Sequence, residues 1–555
     1  MKKINAVLSA VLSMIFAFSF AAEVCAEADK TAFDYILYPD EAVTDFSFDI
    51  LDRISSGDDY VSNRGYDETG LYVSPYWKMS VNGTETPVYA TAVYDWVLNR
   101  GVVQSFQYLY VNGNDFSLSI NLTFTDKIRN VKALPESLEC KAKADGKSIL
   151  ASINSLGTYT FLINGDSQEY AVTLFVQQEK NEEKEIADYK EKYGAENVEV
   201  YESGVYRLDT LDTNADVIYF RKGSYIIANH INDIRSAEDA QNSGLGSFAE
   251  LNSKENAVVT GCGTVDFTRL DRQERNLINI NFCKNVTVEN LILLNPNSWT
   301  VTAYGSEKCK LKNITVFGYR TNSDGINICG CSEMKISGCF CRNGDDCFSA
   351  KATNEYYECH DIEFTDCIGW SNKARCFGIT GEVVRDIYNI SFINCAVIYR
   401  NATWDNDRVG SLAVAVEYSG GNIDNVVFEN IEIYHDSGRP VYCMVYGDGI
   451  KDCKITNVLF KNIKYSADEK IKISSERTIG IRGRISSAIV RFFRRNNLDS
   501  FKPVSRIIAS LEKNYEASNS VEVCFDNVYS DGRKIKKLGS KRHVSVYGNA
   551  NVMYL

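Results

Sequence analysis

From residue 285 onward, short runs of alternating apolar and polar positions recur along the chain. Residues 285–290, 313–318, 333–338, 361–366, 389–394, 425–430 and 457–462 are copies of one unit. Its second and fourth positions are apolar and its third is mostly polar, so each copy predicts a short strand with one buried face. The sixth position is Asn, Gly or Asp every time, as a sharp turn requires, and amides there can bond along a stack. One position further on stand Cys339, Cys367 and Cys395, which the repeat sets in adjacent coils. The copies start 28, 20, 28, 28, 36 and 32 residues apart, and this loose but sustained period predicts a parallel β-helix. A second strand is expected in each coil at Trp299 to Tyr304, Gly325 to Cys329, Asp346 to Ala350, Cys376 to Thr380, Leu412 to Glu417 and Val441 to Val445. Stacking at about 4.8 Å makes neighbours of matching positions one coil apart.

The pattern differs before the repeat. Residues 30 to 178 alternate in short runs, such as Phe116 to Leu122, punctuated by turn formers such as Asn112-Gly113-Asn114, which predicts an all-β sandwich. That region carries no paired acid and base, so it reads as a packing or carbohydrate-contacting accessory domain. Between the two, Glu179 to Tyr193 is dense in Glu and Lys and predicts a solvated helix or linker. The expected organisation is an export signal at 1–26, the β-sandwich at 27–178, a charged helical linker at 179–194 and a β-helix at 195–555. A basic insertion at about 468–515 interrupts the last part. Its Arg482, Arg484, Arg491, Arg494 and Arg495 alternate with Ile485, Ile489, Val490, Phe492 and Phe493, which predicts an amphipathic helix covering a flank or end of the solenoid. The unit resumes at Val521 to Asn527.

Composition narrows the class further. The 555 residues are 45% hydrophobic and 24% charged, which excludes a disordered or collagen-like chain. A net charge of -13 argues against nucleic acid as a partner. Lys2 and Lys3, the apolar run Ala6 to Phe20 and the Val24-Cys25-Ala26 site have the order of a secretory signal, so the expected location is extracellular, after export from a bacterium. No run is long enough for an integral membrane segment. Many of the 17 Cys recur at one coil position, which favours a buried ladder of thiols over bridges. Cys329/Cys331 and Cys339/Cys341 lack the usual zinc spacing, and no metal or other cofactor is expected. The sequence sets no oligomeric state.

Two acidic motifs bear chemistry. Asn322-Ser323-Asp324-Gly325 enters one second strand and Asn343-Gly344-Asp345-Asp346-Cys347 enters the next. Asp and Gly often do no more than populate turns, but here two such sites fall 21 residues, about one coil, apart. The repeat therefore converges Asp324, Asp345 and Asp346 on one patch. Crowded carboxylates repel, which raises at least one pKa and leaves a protonated acid beside ionised neighbours. General acid and base work on a glycosidic bond requires that arrangement.

At these residues the sequence resembles the polygalacturonase family of glycoside hydrolases, which joins an Asn-Thr-Asp motif to a Gly/Gln-Asp-Asp-Cys motif on a right-handed parallel β-helix. The resemblance implies inverting hydrolysis of a polysaccharide or oligosaccharide, with Asp345 protonating the leaving oxygen and Asp324 and Asp346 activating water. The family's Gly-His-Gly is replaced here by Ala374-Arg375-Cys376-Phe377-Gly378, and its Arg-Ile-Lys motif has no counterpart near Leu412 to Glu417. The sandwich-plus-β-helix layout is similar to the dextranase and isopullulanase family, so the sugar stays open. Arg375 and Lys351 are candidates to hold substrate or tune the acids. Asn322, Glu382 and Glu417 are candidate lining residues, and Trp299 and Tyr304 candidate faces for sugar rings. Trp370, Trp404 and Tyr319 offer either such faces or core packing. A polysaccharide lyase and a non-catalytic glycan-binding solenoid are the competing readings.

Overall fold

The computed structural model describes residues 32–54, 69–95, 98, 100–165, 167–229, 247–272, 274–401, 409–418, 420–446, 450, 452–475, 519–537 and 542–555. The export signal, Trp404 and residues 476–515 of the basic insertion lie outside the described residues, and the start expected for that insertion is corrected, because Ile471–Ser474 is a strand paired in parallel with the preceding coil.

Alternating side chains close the N-terminal region into two facing sheets. A five-stranded antiparallel sheet, with Trp77–Val81 and Leu118–Phe124 among its strands, lies against a seven-stranded sheet that includes Tyr89–Asp95, Arg100–Val111 and Ser167–Gln178. Ile120, Leu122, Phe161, Val172 and Leu174 fill the space between them. The strand Arg100–Val111 is buried on both faces, because the far side of its sheet is covered as well. Phe106, Tyr108 and Phe175 pack there against Phe317, Phe340 and Trp370 of the coils. Burying each of these side chains contributes about 1.5–3 kcal/mol. The Tyr108 hydroxyl donates to Thr315 Oγ1 at 2.5 Å, and Trp370 Nε1 donates to Gln168 Oε1 at 2.9 Å. The sandwich is thus anchored by apolar contact and by polar pairs.

The charged segment forms the helix Glu182–Tyr193, capped by Asn181, whose side chain accepts from the Lys184 amide. Its acidic first turn and basic last turn suit the helix dipole. Beyond it the chain winds into coils whose strands pair in parallel with those of the next coil, as in Val288↔Leu311, Leu311↔Ile336 and Ile336↔Phe364. The repeat predicts two strands per coil, and the structure has three. The extra stack includes Ile292–Leu294, Thr315–Phe317, Phe340–Asn343 and Ile368–Ser371, and it is the face the sandwich covers. Between the other faces runs an apolar interior of Val, Ile, Leu and Phe, in which Phe364, Phe392, Phe428 and Phe460 stack coil upon coil.

One copy of the unit is corrected. Asn313 does not begin a strand: the pairings Glu289↔Lys312 and Lys312↔Ser337 place it level with Asn290 and Gly338, at the sixth-position corner. The true copy is residues 308–313, which changes the two intervals from 28 and 20 to 23 and 25 residues. Lys308 opens this copy at the other corner of the coil, where most copies carry Asn and the backbone is also left-handed, φ 57° at Lys308. Asn and Asp adopt such a backbone at low cost, and at the sixth position Asn290, Asp366, Asn394, Asn430 and Asn462 all do. Their amides form the expected ladder: Asn430 donates to Asn394 at 3.0 Å and Asn462 to Asn430 at 2.9 Å. The thiols of Cys339, Cys367 and Cys395 are free and buried, each donating to a main-chain carbonyl.

Candidate active site

The ten-stranded parallel stack carries the acids. It includes Val301–Tyr304, Ile326–Cys329, Phe348–Ala352, Phe377–Val383 and Leu412–Tyr418. The pairings Ile326↔Phe348 and Phe348↔Phe377, followed two residues upstream, set Asp324, Asp346 and Arg375 at one register position in three successive coils. Main-chain bonds lock that register: Gly325 N donates to Asp346 O at 2.8 Å and Cys347 N to Arg375 O at 2.9 Å.

Both motif glycines are needed for this approach. A Cβ on Gly344 would lie 2.1 Å from the Arg320 carbonyl oxygen, and one on Gly325 would lie 2.4 Å from that of Cys347. Ser323 and Asn343 tie the two entering loops together. The Gly344 amide donates to Ser323 Oγ at 3.1 Å, and Asn343 Nδ2 donates to the Ser323 and Asp346 carbonyls at 2.9 Å each.

One carboxylate oxygen from each of Asp324, Asp345 and Asp346 lies within 4.8 Å of the others. Asp324 Oδ2 accepts from Lys351 Nζ at 3.2 Å and from Asn327 Nδ2 at 3.1 Å. Asp346 Oδ2 lies 3.4 Å from Arg375 Nη1 and 4.0 Å from Lys351 Nζ. Asp345 accepts from the main-chain amides of Asn322 at 3.2 Å and Asp346 at 3.0 Å. Burial, and then the Asp346 charge, push Asp345 up to about 6 against the pull of Arg375 and Lys351. Burial also holds Asp324 well above the usual carboxylate range; Lys351 pulls it down while Asp345 and Asp346 push it up. Carboxyl groups this close titrate as a coupled set, and burial favours keeping a proton within it to a higher pH than an isolated carboxylate would.

A cavity of about 290 Å³ opens over the cluster and is lined by Trp299, Asn322, Lys351, Arg375, Glu382 and Glu417 together with the three aspartates. Tyr304 is not among its lining; it is paired with Cys329, which pairs with Lys351. Of the two readings left open for Trp370 and Tyr319, core packing holds, for both are buried against the sandwich. The Asn322 side-chain oxygen is taken by Arg272 at 2.6 Å. Sequence reasoning missed Arg272, and also Thr321, Lys373, Thr380 and Tyr418, which complete the lining. Lys373 and Thr380 stand in the coil of Arg375, a position the repeat alone could have flagged. A larger cavity of about 900 Å³ separates the sandwich loops from the asparagine ladder, and the acid cluster lies outside it.

Residues 234–482 match the family described as Glycosyl hydrolases family 28. A probable polygalacturonase of Vitis vinifera is 23% identical over 193 residues, 34% of this chain and 33% of the relative. Polygalacturonase QRT2 of Arabidopsis thaliana is 24% identical over 200 residues, 34% of this chain and 43% of the relative. The chain thus spans a third to two fifths of the length of these relatives. Across nearly the whole chain the fold is that of Dex49A from Penicillium minioluteum, with a TM-score of 0.58 at 10% identity over 94% of this chain and 99% of the other. The segment that matches this family includes the coils that bring Asp324, Asp345 and Asp346 together.

Proposed function

We propose that the protein is an exported glycoside hydrolase that cleaves a largely neutral polysaccharide by direct displacement at the anomeric carbon. The observation that carries this reading is the cluster itself: Asp345 raised to about 6, one hydrogen-bonding distance from the chain that bears Asp346 and across from Asp324. Asp345 gives its proton to the departing glycosidic oxygen. Asp324 and Asp346 take the proton of the attacking water, so two charges never have to separate into bulk solvent.

Neutral sugar is favoured by the charges around the cavity. Its lining holds five carboxylates, Asp324, Asp345, Asp346, Glu382 and Glu417, against the cations Lys351, Lys373 and Arg375. Arg375 is engaged with Glu417 and Asp346, and Lys351 with Asp324, Asp346 and Glu382. A uronate carboxylate would meet mostly its own sign.

The lyase reading fares worse. Burial would favour a neutral Lys351, but Glu382, Asp324 and Asp346 outweigh it and raise the pKa, and the Arg375 guanidinium is held charged in the same way by Glu417 and Asp346. A cation fixed so firmly is a poor base for proton abstraction. A second hydrolytic course has an observation in its favour. The carboxylate oxygens lie within 4.8 Å, nearer the roughly 5 Å of double-displacement pairs than the roughly 6.5–9.5 Å of most direct-displacement ones. Proton NMR of the first product from a cleaved glycan decides between them. Inverted anomeric configuration is expected, and retained configuration would assign Asp324 or Asp346 as a nucleophile.

A further inference from the structure

We infer that Phe282 and Tyr357 form an exposed stacking platform for pyranose units of the same polysaccharide, at the far end of the strand stack that carries the acids and away from the bond that breaks. The inference rests on the hydrolase reading for its substrate class, but it stands on a separate group of residues. Phe282 is 56% exposed and Tyr357 41% exposed, with ring centroids 5.9 Å apart and planes inclined at 49°. Two large rings left in water side by side are unusual outside a binding surface.

The backbone is built to hold them there. Ser253, Phe282, Gly305 and Gly330 occupy the same corner in successive coils, as the bonds from Ser253 N to Asn281 O, Phe282 N to Tyr304 O, Gly305 N to Cys329 O and Gly330 N to Lys351 O show. The corner is left-handed in each, at φ 51°, 53°, 53° and 59°. Glycine meets that demand without strain; a bulky aromatic does not. Phe282 is held in it all the same, with its ring turned outward. A sparsely populated conformation kept at an exposed aromatic points to use.

The next two corners are cut back to seat the rings. A Cβ on Gly305 would lie 2.8 Å from Phe282 Cδ1, and one on Gly330 would lie 2.8 Å from Tyr357 Cβ. The corner that seats Tyr357 is tied through the main chain to a residue of the acid cavity. The Gly330 amide donates at 2.8 Å to the carbonyl of Lys351, whose ammonium lies 3.2 Å from Asp324 and 4.1 Å from the centre of the Trp299 ring. Phe282 stands two coils from Asp324 and three from Asp345 at about 4.8 Å per coil, and it sits past the end of its strand, six register positions beyond the level of Asp324. The apolar C–H faces of pyranose rings match such aromatic faces, and their hydroxyls remain in water.

Affinity electrophoresis in gels containing polygalacturonate, dextran, pullulan or xyloglucan tests this without turnover, in an Asp345→Asn background. At least one polymer should retard the background protein. Adding Phe282→Ala or Tyr357→Ala should weaken that retardation about tenfold, as the loss of one stacking contact implies, while Phe282→Trp should keep it. Circular dichroism and the unfolding midpoint separate loss of the platform from loss of the fold, and Phe282→Leu, apolar but without a flat face, should behave like Phe282→Ala. Retardation as strong in the alanine variants as in the background, or no retardation of the background by any of the polymers, would overturn the platform. Failure of the hydrolase reading looks different: the wild-type protein would be retarded in a platform-dependent way and yet release no reducing sugar.

Discussion

Buried cations on two faces of the same coils are treated in opposite ways. Arg342, under the sandwich, is fully buried with its guanidinium 3.8 Å over the Trp370 ring and a hydrogen bond to Gln104. Burial holds it down to about 9, with the Asp95 charge acting the other way. Lys351 and Arg375, on the cleft face, are nearly as buried, yet Glu382, Asp324 and Asp346 raise the one and Glu417 and Asp346 the other. Burial alone therefore does not mark a site. What distinguishes the cleft is that acids and bases were buried together, each making the other's charge affordable. Arg342 fastens two sheets; Lys351 and Arg375 hold three carboxylates at a fixed distance.

The largest expected effect lies in the cleft. Asp345→Asn should cut turnover by about 10²–10⁴-fold, the usual worth of a positioned general acid, as measured by reducing-sugar release with the far-ultraviolet spectrum unchanged. Next comes the contrast between the cations. Lys351→Met leaves buried carboxylates uncompensated and should cost about 3–5 kcal/mol in urea unfolding. Arg342→Met strands no partner carboxylate at bonding distance and should cost less than about 2 kcal/mol while turnover is kept. Equal costs for the two would break the comparison.

A smaller effect appears with pH. Asp345 has a folded-state pKa raised from 3.8 to about 6, so its ionisation opposes folding. The folded state keeps its full stability below the unfolded pKa and loses about 1–3 kcal/mol as pH rises through 6. Asp345→Asn removes that penalty, and its unfolding midpoint should exceed that of the wild type above pH 6 and converge with it toward pH 4. The reverse order would contradict the placement of the proton. The smallest effect belongs to the ladder. Asn430→Ala loses two amide bonds, one donated to Asn394 and one accepted from Asn462, and keeps a Cβ at φ 56° without side-chain compensation; a cost of about 1–2 kcal/mol is expected, with Asn430→Gly cheaper.

Much of this was legible because solenoids translate sequence period into spatial neighbourhood. The sixth-position Asn ladder, the cysteine column and the convergence of Asp324 with Asp346 all followed from repeat arithmetic. The misplaced copy at Asn313 shows its limit. Asn can occupy either left-handed corner of a coil, and the apolar Ile314-Thr315-Val316 that follows belongs to the sandwich-covered stack rather than to the first strand. That stack escaped notice because most of its outward residues are aromatic or apolar, so it lacks the alternation that betrays a half-exposed strand. For the same reason the sequence left Trp370 open between a sugar face and core packing. Arg272 carried no signal, since it reaches Asn322 across 50 residues by a path only the coil geometry creates.

The most direct test is release of reducing ends from the panel of polygalacturonate, dextran, pullulan and xyloglucan by the wild type and by Asp345→Asn side by side. The account predicts release from at least one polymer by the wild type and a loss of about 10²–10⁴-fold in the variant. Comparable rates for the two proteins would contradict it.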